Sequence, residues 1–361
     1  MTVKISKPAV NLREELNELK KPRGSAGEAM LRAETPQEQQ ALIGVGRRNL
    51  LINGDFKVSQ RGVYTSTTSV ANNTYYLDRW RMALGSVAGT VQHNEVVLPN
   101  GIKTMAMKVS AATSNTTGYV GVRHVIEDFR ALSGQVVTAS MWVRTTLKSM
   151  TFRHDSTANF GNVVSPDGQW YYHTATYQMP TITAAGGNAN QTTLALINYT
   201  GSAGGGTISG EYFEVAQVQL ELGSVATPFE HRSYGEELAL CERYYQKSYD
   251  KDAYVTGSTS LSTVGSVDHY GSSDATNVLA QVYFRTQMRD APTVTTYDPN
   301  SSNGGNAYAG RAYVASNSGT ASYNTTTNNI GSTGFRSYVP KNGAGWAAHR
   351  IIFQWQSVAE L

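Results

Sequence analysis

The change of residue periodicity near Asn49 constrains the fold of this chain most strongly. Before it, in residues 1–48, Leu12, Leu16 and Leu19 recur at the spacing of one helix face. Isolated helices shorter than about 12–15 residues are marginal in water, so this short stripe is expected to need a partner. After it, apolar residues alternate with polar ones, as they do in half-buried strands. The sequence therefore predicts a short helical segment followed by β-structure.

The chain beyond residue 49 reads as many short strands separated by turns. Val137, Ala139, Met141 and Val143 would line one face of a strand, and stretches such as AAGGNAN and GSAGGG would form turns. Charged residues make up only 16% of the chain and glycine numbers 34, a composition that suits short strands and tight turns. We expect a mainly β protein whose first β-domain is a jelly-roll β-sandwich.

A second change of pattern divides the β-region. Residues 234–248 return to helical spacing, and alternation resumes after them with long polar stretches between the strands. The predicted organisation is a helical N-terminal segment (1–48), a jelly-roll domain (49–233), a connector helix (234–248) and a distal small β-sandwich (249–361).

Charge is concentrated at the start of the chain. Residues 1–48 carry nine Lys/Arg and six Asp/Glu, whereas the remaining residues carry 21 of each. The larger part is therefore neutral, and neither a nucleic acid nor an anionic membrane is expected as a partner. The sequence contains no run of about 18 apolar residues, so no membrane-spanning helix is predicted. The N-terminus lacks the apolar core of a signal peptide, so synthesis and folding in a cytoplasm are expected.

Residues that could carry catalysis show no specific pattern. Polysaccharide cleavage needs two carboxyl groups about 5–10 Å apart, yet Glu127 and Asp128 are adjacent, and Glu211 and Glu214 would fall on opposite strand faces. The histidines lack the H-E-x-x-H spacing and no G-x-S-x-G element is present. The single cysteine, Cys241, excludes an internal disulfide and a cysteine-cluster zinc site. We do not expect an enzyme.

Aromatic residues in polar surroundings are the best candidates for ligand contact. Indole and phenol planes stack on the apolar faces of sugar rings, and hydroxyl-rich ligands also need polar groups nearby. For each of these aromatic residues, an interchain or interdomain contact is the alternative to ligand binding. Trp80 and Trp355, by contrast, alternate with apolar residues and are expected in cores. The candidate glycan-binding residues are Tyr308, Tyr313, Tyr323 and Trp346 in the distal loops, and Trp142 and Trp170 in the first β-domain.

A structural calcium ion is the one cofactor for which the sequence offers candidate ligands. Asn53, Asp55 and Glu221 offer the hard oxygen atoms that calcium prefers. Asn-Gly-Asp groups more often form simple turns, so no cofactor is expected beyond this alternative.

Several stretches resemble proteins of tailed-phage virions. NLLINGDFKVSQRG followed by YYLDRW resembles the start of carbohydrate-binding-module-like jelly rolls in these proteins. EYFEVAQVQLELGSVATPFEHRSYGEELALCERYYQKSY resembles the strand-plus-helix ending found in many phage tail fibres and receptor-binding proteins. VYFRTQMRDAPTVTTY, with RIIFQWQSVAEL, resembles the β-domain that often follows, and TPQEQQALIGVG resembles short helical anchor segments. In calcium-bearing jelly rolls the last strand carries an Asp pair, where this chain has Gln217 and Gln219.

The resemblance implies a tail fibre that resides in the virion tail. Residues 1–48, with Leu12, Leu16 and Leu19, would attach it to other tail proteins, and its β-domains would recognise host surface polysaccharide. Tail fibres are usually trimeric, and the short leucine stripe suits like neighbours, so a homotrimer is expected. The alternatives are a virion protein without receptor contact, such as a head fibre, decoration or baseplate component, and a polysaccharide depolymerase.

Overall fold

The computed structural model describes residues 32, 48–127, 132–154, 158–163, 165–179, 181, 191–200, 203–249, 267–270, 277–299, 309–316, 319–340 and 349–360. Arg32 is helical. The rest of the predicted N-terminal segment, with Leu12, Leu16 and Leu19, lies outside the described residues. Within the described part, no helix is long and apolar enough to cross a membrane.

The structure is dominated by strands. The elements are β1 (Thr68–Val70), β2 (Tyr75–Leu77), β3 (Trp80–Gly85), β4 (Gly89–Val97), β5 (Lys103–Ala111), β6 (Tyr119–Glu127), β7 (Val136–Thr145), β8 (Met150–His154), β9 (Ala158–Val163), β10 (Tyr171–Gln178), β11 (Gln191–Ile197), β12 (Tyr199–Thr200), β13 (Ala203–Gly204), β14 (Tyr212–Leu222), α1 (Tyr234–Glu242), β15 (Tyr245–Lys247), β16 (Val267–Tyr270), β17 (Asn277–Tyr283), β18 (Thr293–Tyr297), β19 (Arg311–Ser316), β20 (Gly319–Asn324), β21 (Thr326–Gly331), β22 (Gly334–Pro340) and β23 (His349–Val358).

Two six-stranded sheets form the first β-domain. The front sheet has the order β1-β4-β5-β14-β7-β10, and the back sheet has the order β2-β3-β6-β11-β8-β9. The strand pairs are antiparallel. Val137, Ala139, Met141 and Val143 of β7 all turn into the core, as their alternation predicts. The predicted β-sandwich is confirmed.

The core between these two sheets contains the predicted core residue Trp80. Trp80 is buried, its indole N–H donates to the backbone oxygen of Asn53 at 2.8 Å, and its ring packs on Phe56. Each large side chain that is removed from water in this way contributes about 1.5–3 kcal/mol. The predicted core position of Trp80 is confirmed.

A β-bulge divides strand β14 into two halves. Its register against β7 shifts between Ala216 and Gln219, and Gln217 adopts a left-handed backbone with φ 51°. Phe213 and Val215 face the core before the bulge, and after it the parity changes because an extra residue has been inserted. The outward face of β14 is therefore interrupted at Ala216.

Helix α1 joins the two β-domains and is shorter than the predicted connector. Ser233 caps it through a capping box, accepting from the Glu236 backbone N–H while the Glu236 carboxylate accepts from that of Ser233. The helix ends at Glu242, whereas helical spacing predicted residues 234–248. The chain instead continues as β15, whose residues are all buried and pair with β23, because strand pairing satisfies the backbone there.

The distal domain is a second, smaller arrangement of sheets. Strand β23 is central: β15, β16, β18 and β19 all pair with it, and β20 extends from β19, while β17, β22 and β21 form another sheet. Phe335, Phe353 and Trp355 lie in the shared core. The predicted distal β-sandwich and the core position of Trp355 are confirmed.

Candidate functional site

The outward face of the front sheet carries a group of aromatic and charged side chains that contact one another. Residues that alternate with the core positions of β5, β14, β7 and β10 point away from the sandwich. We call this surface the front face and define it by Lys108, Tyr212, Glu214, Trp142, Arg144 and Tyr172 on these strands and Trp170 just before β10.

An aromatic cluster occupies one side of the front face. Trp142 lies directly opposite Tyr172 in the β7–β10 register, and their ring centroids are 5.4 Å apart. Trp142 and Trp170 both pack against a small apolar group made of Leu98, Ala106 and Ala216. The ring of Tyr172 remains 45% exposed. The structure thus brings the predicted residues Trp142 and Trp170 together and adds Tyr172.

A short turn positions Trp170. The segment Ser165–Gly168 forms the turn predicted from its Pro-Asp-Gly sequence, with Gly168 at φ 74° and its N–H donating to the Thr145 oxygen at 3.0 Å. Asp167 accepts from the Gln169 N–H at 2.9 Å and from the Tyr171 hydroxyl at 2.7 Å. The Tyr171 hydrogen bond lowers the pKa of the Asp167 carboxyl below its usual value, so the turn is held by a charged acceptor.

A row of charged side chains crosses the face beside the aromatic cluster. Lys108, Glu214 and Arg144 are neighbours in register on β5, β14 and β7. Glu214 is 1% exposed, and one of its oxygens accepts from Arg144 Nε at 2.7 Å and pairs with Nη2 at 2.5 Å. The Arg144 guanidinium lies 4.9 Å from the Trp170 ring centroid, and Lys108 Nζ lies 4.1 Å from that of Tyr212. Aromatic rings and fixed charges therefore alternate on one surface.

The two distal candidates that the structure describes, Tyr313 and Tyr323, lie on opposite faces of their strand pair. Tyr323 is partly buried and packs against the distal core, on the same strand face as the buried Ala312. Tyr313 lies on the other face of β19 and is half-buried. Tyr308 and Trp346 lie outside the described residues. Tyr323 therefore has a packing role, which its position in a polar, tyrosine-rich stretch did not indicate.

The residues considered for calcium have other partners. The Asn53 side-chain oxygen accepts from the Val58 N–H at 3.0 Å, and its amide nitrogen donates to the Val58 and Asp78 oxygens. The Glu221 carboxylate accepts from Thr227 and Gln219. One oxygen of Asp55 pairs with Lys57 Nζ at 2.8 Å, while the other has no hydrogen-bond partner. These contacts use most of the oxygens that a metal would need. Among the described residues, no three His, Cys, Asp or Glu side chains converge on one point.

Three of the four carboxylates considered for catalysis hold structural contacts, and the fourth, Asp128, lies outside the described residues. Glu127 accepts from the Tyr244 hydroxyl at 2.5 Å, Glu211 accepts from the Ile208 N–H at 2.7 Å, and Glu214 pairs with Arg144. Cys241 is fully buried, and burial raises the pKa of its thiol well above the usual value. Such a thiol stays protonated and is unsuited to nucleophilic chemistry.

A cavity of about 360 Å³ lies at one end of the first domain. None of the described residues that line it is aromatic, unlike several residues of the front face. Its lining residues are Ser114, Asn115, Thr116, Lys148, Gly205, Gly206, Thr207, Ile208 and Glu211.

No protein-family model matches this chain, and no curated protein matches it. Solved structures that it is similar to include the enzymatically active domain of tailspike protein 4 from bacteriophage CBA120, at 10% identity and a TM-score of 0.29, covering 45% of this chain and 22% of that one. They also include a family 11 carbohydrate-binding module of a Clostridium thermocellum cellulase, at 15% identity and a TM-score of 0.27, covering 47% and 99%. A third is a putative sugar binding protein from Bacteroides thetaiotaomicron, at 11% identity and a TM-score of 0.30, covering 49% and 100%. At such TM-scores these likenesses do not indicate a shared function.

Proposed function

We propose that this protein is a tail fibre of a tailed-phage virion that binds host surface polysaccharide without cleaving it. The front face is the glycan-binding surface, and residues 1–48 attach the chain to other tail proteins. The virion setting is supported by the sequence resemblance of residues 49–361 to tail-fibre modules. A homotrimer, which would multiply weak contacts with a repetitive glycan, is part of the same proposal.

The observation that carries the glycan-binding role is an aromatic cluster, partly buried and with Tyr172 exposed, beside fixed polar groups. Trp142 and Tyr172 form a platform whose Tyr172 ring is open to solvent. Arg144 is held in place by Glu214 and Trp170, so it can donate hydrogen bonds to hydroxyl groups without a further ordering cost. Apolar ring faces and oriented donors are the two features that sugar recognition needs.

The test compares two exposed tyrosines. We expect Tyr172→Ala in the full chain to weaken retention in native gels containing host surface polysaccharide by about ten- to hundred-fold, because a stacking aromatic at a binding hot spot contributes about 1–3 kcal/mol. Tyr283→Ala is the matched control, since Tyr283 is 78% exposed but lies in the distal domain. It should bind like the parent.

Each of the other outcomes would indicate a different binding site or a different function for this protein. Weaker retention of Tyr283→Ala with normal retention of Tyr172→Ala would place the glycan contact in the distal domain. Shortening of the polysaccharide would identify a depolymerase. Absence of retention by the parent chain would favour a virion protein without receptor contact.

A further inference from the structure

The front face carries more positive than negative charge at its centre. Arg144 and Lys108 flank Glu214 on the neighbouring strands, so the row holds two cations and one carboxylate. The Arg144–Glu214 ion pair is closed, because one Glu214 oxygen contacts both Nε and Nη2 of Arg144. The charge that remains is that of Lys108.

Lys108 has no acidic partner in the part of the chain that the structure describes. Its ammonium group lies over the Tyr212 ring. Its register neighbour on β14 is Glu214, whose carboxylate pairs with Arg144, and its register neighbour on β4, Gln92, is uncharged. The turn beside Trp170 contains one acidic residue, Asp167, whose oxygens accept from Tyr171 and Gln169. An ammonium group that is held on an aromatic face and forms no ion pair with a described residue is suited to an anionic group of a ligand.

The spacing of the strands sets the size of that ligand. Lys108 and Trp142 lie on β5 and β7, which are separated by β14. Two strand spacings correspond to about 10 Å, which is more than one sugar ring spans. A ligand that stacks on Trp142 and Tyr172 and also reaches Lys108 must therefore be an oligosaccharide.

We infer that the front face selects acidic polysaccharides, in which a ring carboxylate pairs with Lys108 while another sugar of the same chain stacks on Trp142 and Tyr172. This inference rests on the proposed glycan-binding role of the same face. It adds the chemical class of the ligand, a polymer of uronic or similar carboxylated sugars.

The experiment uses polysaccharides that differ only in charge. Binding of the full chain is measured by calorimetry against alginate, polygalacturonate, hyaluronate and polysialic acid, and against each polymer after chemical reduction of its carboxyl groups. We expect at least one acidic polymer to bind. Its carboxyl-reduced form should bind with an affinity lower by about ten-fold or more, because a charge-assisted contact is lost.

Two lysines on the same strand provide the matched variants. Lys108→Gln should weaken binding of the acidic polymer about ten-fold and leave binding of its reduced form unchanged. Lys103→Gln makes the same change of charge at an exposed residue that pairs with Glu95 near the start of β5, and it should leave both unchanged.

The outcomes separate this inference from the function on which it rests. Equal binding of acidic and reduced polymers, or equal effects of the two lysine variants, would overturn the acidic preference and leave glycan binding standing. Failure of the chain to bind any of these polymers or a panel of neutral glycans would overturn both.

Discussion

At the scale of single residues, burial decides the charge of His124. Its side chain is 1% exposed, its ring lies edge-on to Trp80, and its Nε2 atom lies 3.1 Å from the Ile52 nitrogen and 3.0 Å from the Ile52 oxygen. Burial, aided by the positive charge of Arg79, lowers the pKa of the imidazole well below its usual value. The folded protein therefore keeps this histidine neutral, as expected of a core residue rather than a ligand.

This burial predicts acid sensitivity with a defined sign. In the unfolded chain His124 takes up a proton below about pH 6.5, whereas the folded protein does not, so the free energy of unfolding falls as the pH is lowered. The loss is at most about 1.4 kcal/mol per pH unit for this group. We expect urea unfolding at about pH 7.5 and about pH 5.5 to show a smaller difference in His124→Gln than in the parent.

The control for this prediction is another histidine of the first domain. His231 is exposed and packs on Phe229, so His231→Gln should keep the parent's pH difference. An unchanged pH difference in His124→Gln would show that the buried imidazole does not contribute to acid sensitivity.

At the scale of elements, the bulge in β14 shapes the front face. Glu214 and Ala216 face outward before it, whereas Gln219 and Glu221 beyond it are covered, with their side chains bonded to residues 227–230. The left-handed backbone of Gln217 forms the bulge at which the outward-facing side of β14 changes from front-face residues to covered ones. The bulge thus separates the half of the strand that carries the Glu214–Arg144 ion pair of the front face from a half whose side chains bind residues 227–230.

The bulge makes substitutions at Gln217 depend on backbone shape rather than on size. Gln217→Val should lower the free energy of unfolding by about 2 kcal/mol, because a β-branched residue is strained in the left-handed region. Gln217→Gly should stay within about 1 kcal/mol of the parent, since glycine adopts this conformation freely. Chemical denaturation of both variants measures the difference, and equal losses would show that the buried side chain, not the backbone, sets the stability here.

At the scale of the whole molecule, a buried charged junction joins the two domains. Arg79, 1% exposed, pairs with Glu360, donates to the Val125 oxygen at 2.6 Å and lies 3.5 Å from the Tyr244 ring centroid. Arg61 pairs with the same carboxylate at 2.8 Å. Arg79 and Tyr244 lie in the YYLDRW and ERYYQKSY stretches, so these two stretches contribute contacts that hold the domains together.

The junction predicts that the domains unfold together. Glu360→Gln leaves two arginines, one of them fully buried, without their carboxylate, and removing one partner of a buried ion pair costs about 3–5 kcal/mol. Calorimetry should show one transition for the parent and an earlier, separate transition of the distal domain for this variant.

The control for the junction is an ion pair on the surface. Glu95→Gln breaks the exposed pair with Lys103, which should cost less than about 1 kcal/mol. If Glu360→Gln unfolds as Glu95→Gln does, the two domains are joined by other contacts.

Local pattern was sufficient for much of this fold. The alternation of Val137 to Val143 predicts which face of β7 is buried, and the core positions of Trp80 and Trp355 follow from the same rule. These predictions succeed because side-chain direction in a strand depends only on position along it. The predicted connector helix is too long for a related reason: residues 245–247 pair with β23, which lies about a hundred residues away.

The sequence by itself determined the fold class, the faces of the strands and the absence of any recognisable catalytic motif. Only the tertiary structure decided which side chains meet. Lys108, Glu214 and Arg144 come from three separate strands, and Trp142 meets Tyr172 across the β7–β10 pair. Strand order and register determine which of these side chains become neighbours. Both arise from long-range pairing, which local periodicity does not encode. For the same reason Tyr172 and Lys108 were missed from sequence, while Tyr323 was expected in a surface role and is packed on a core.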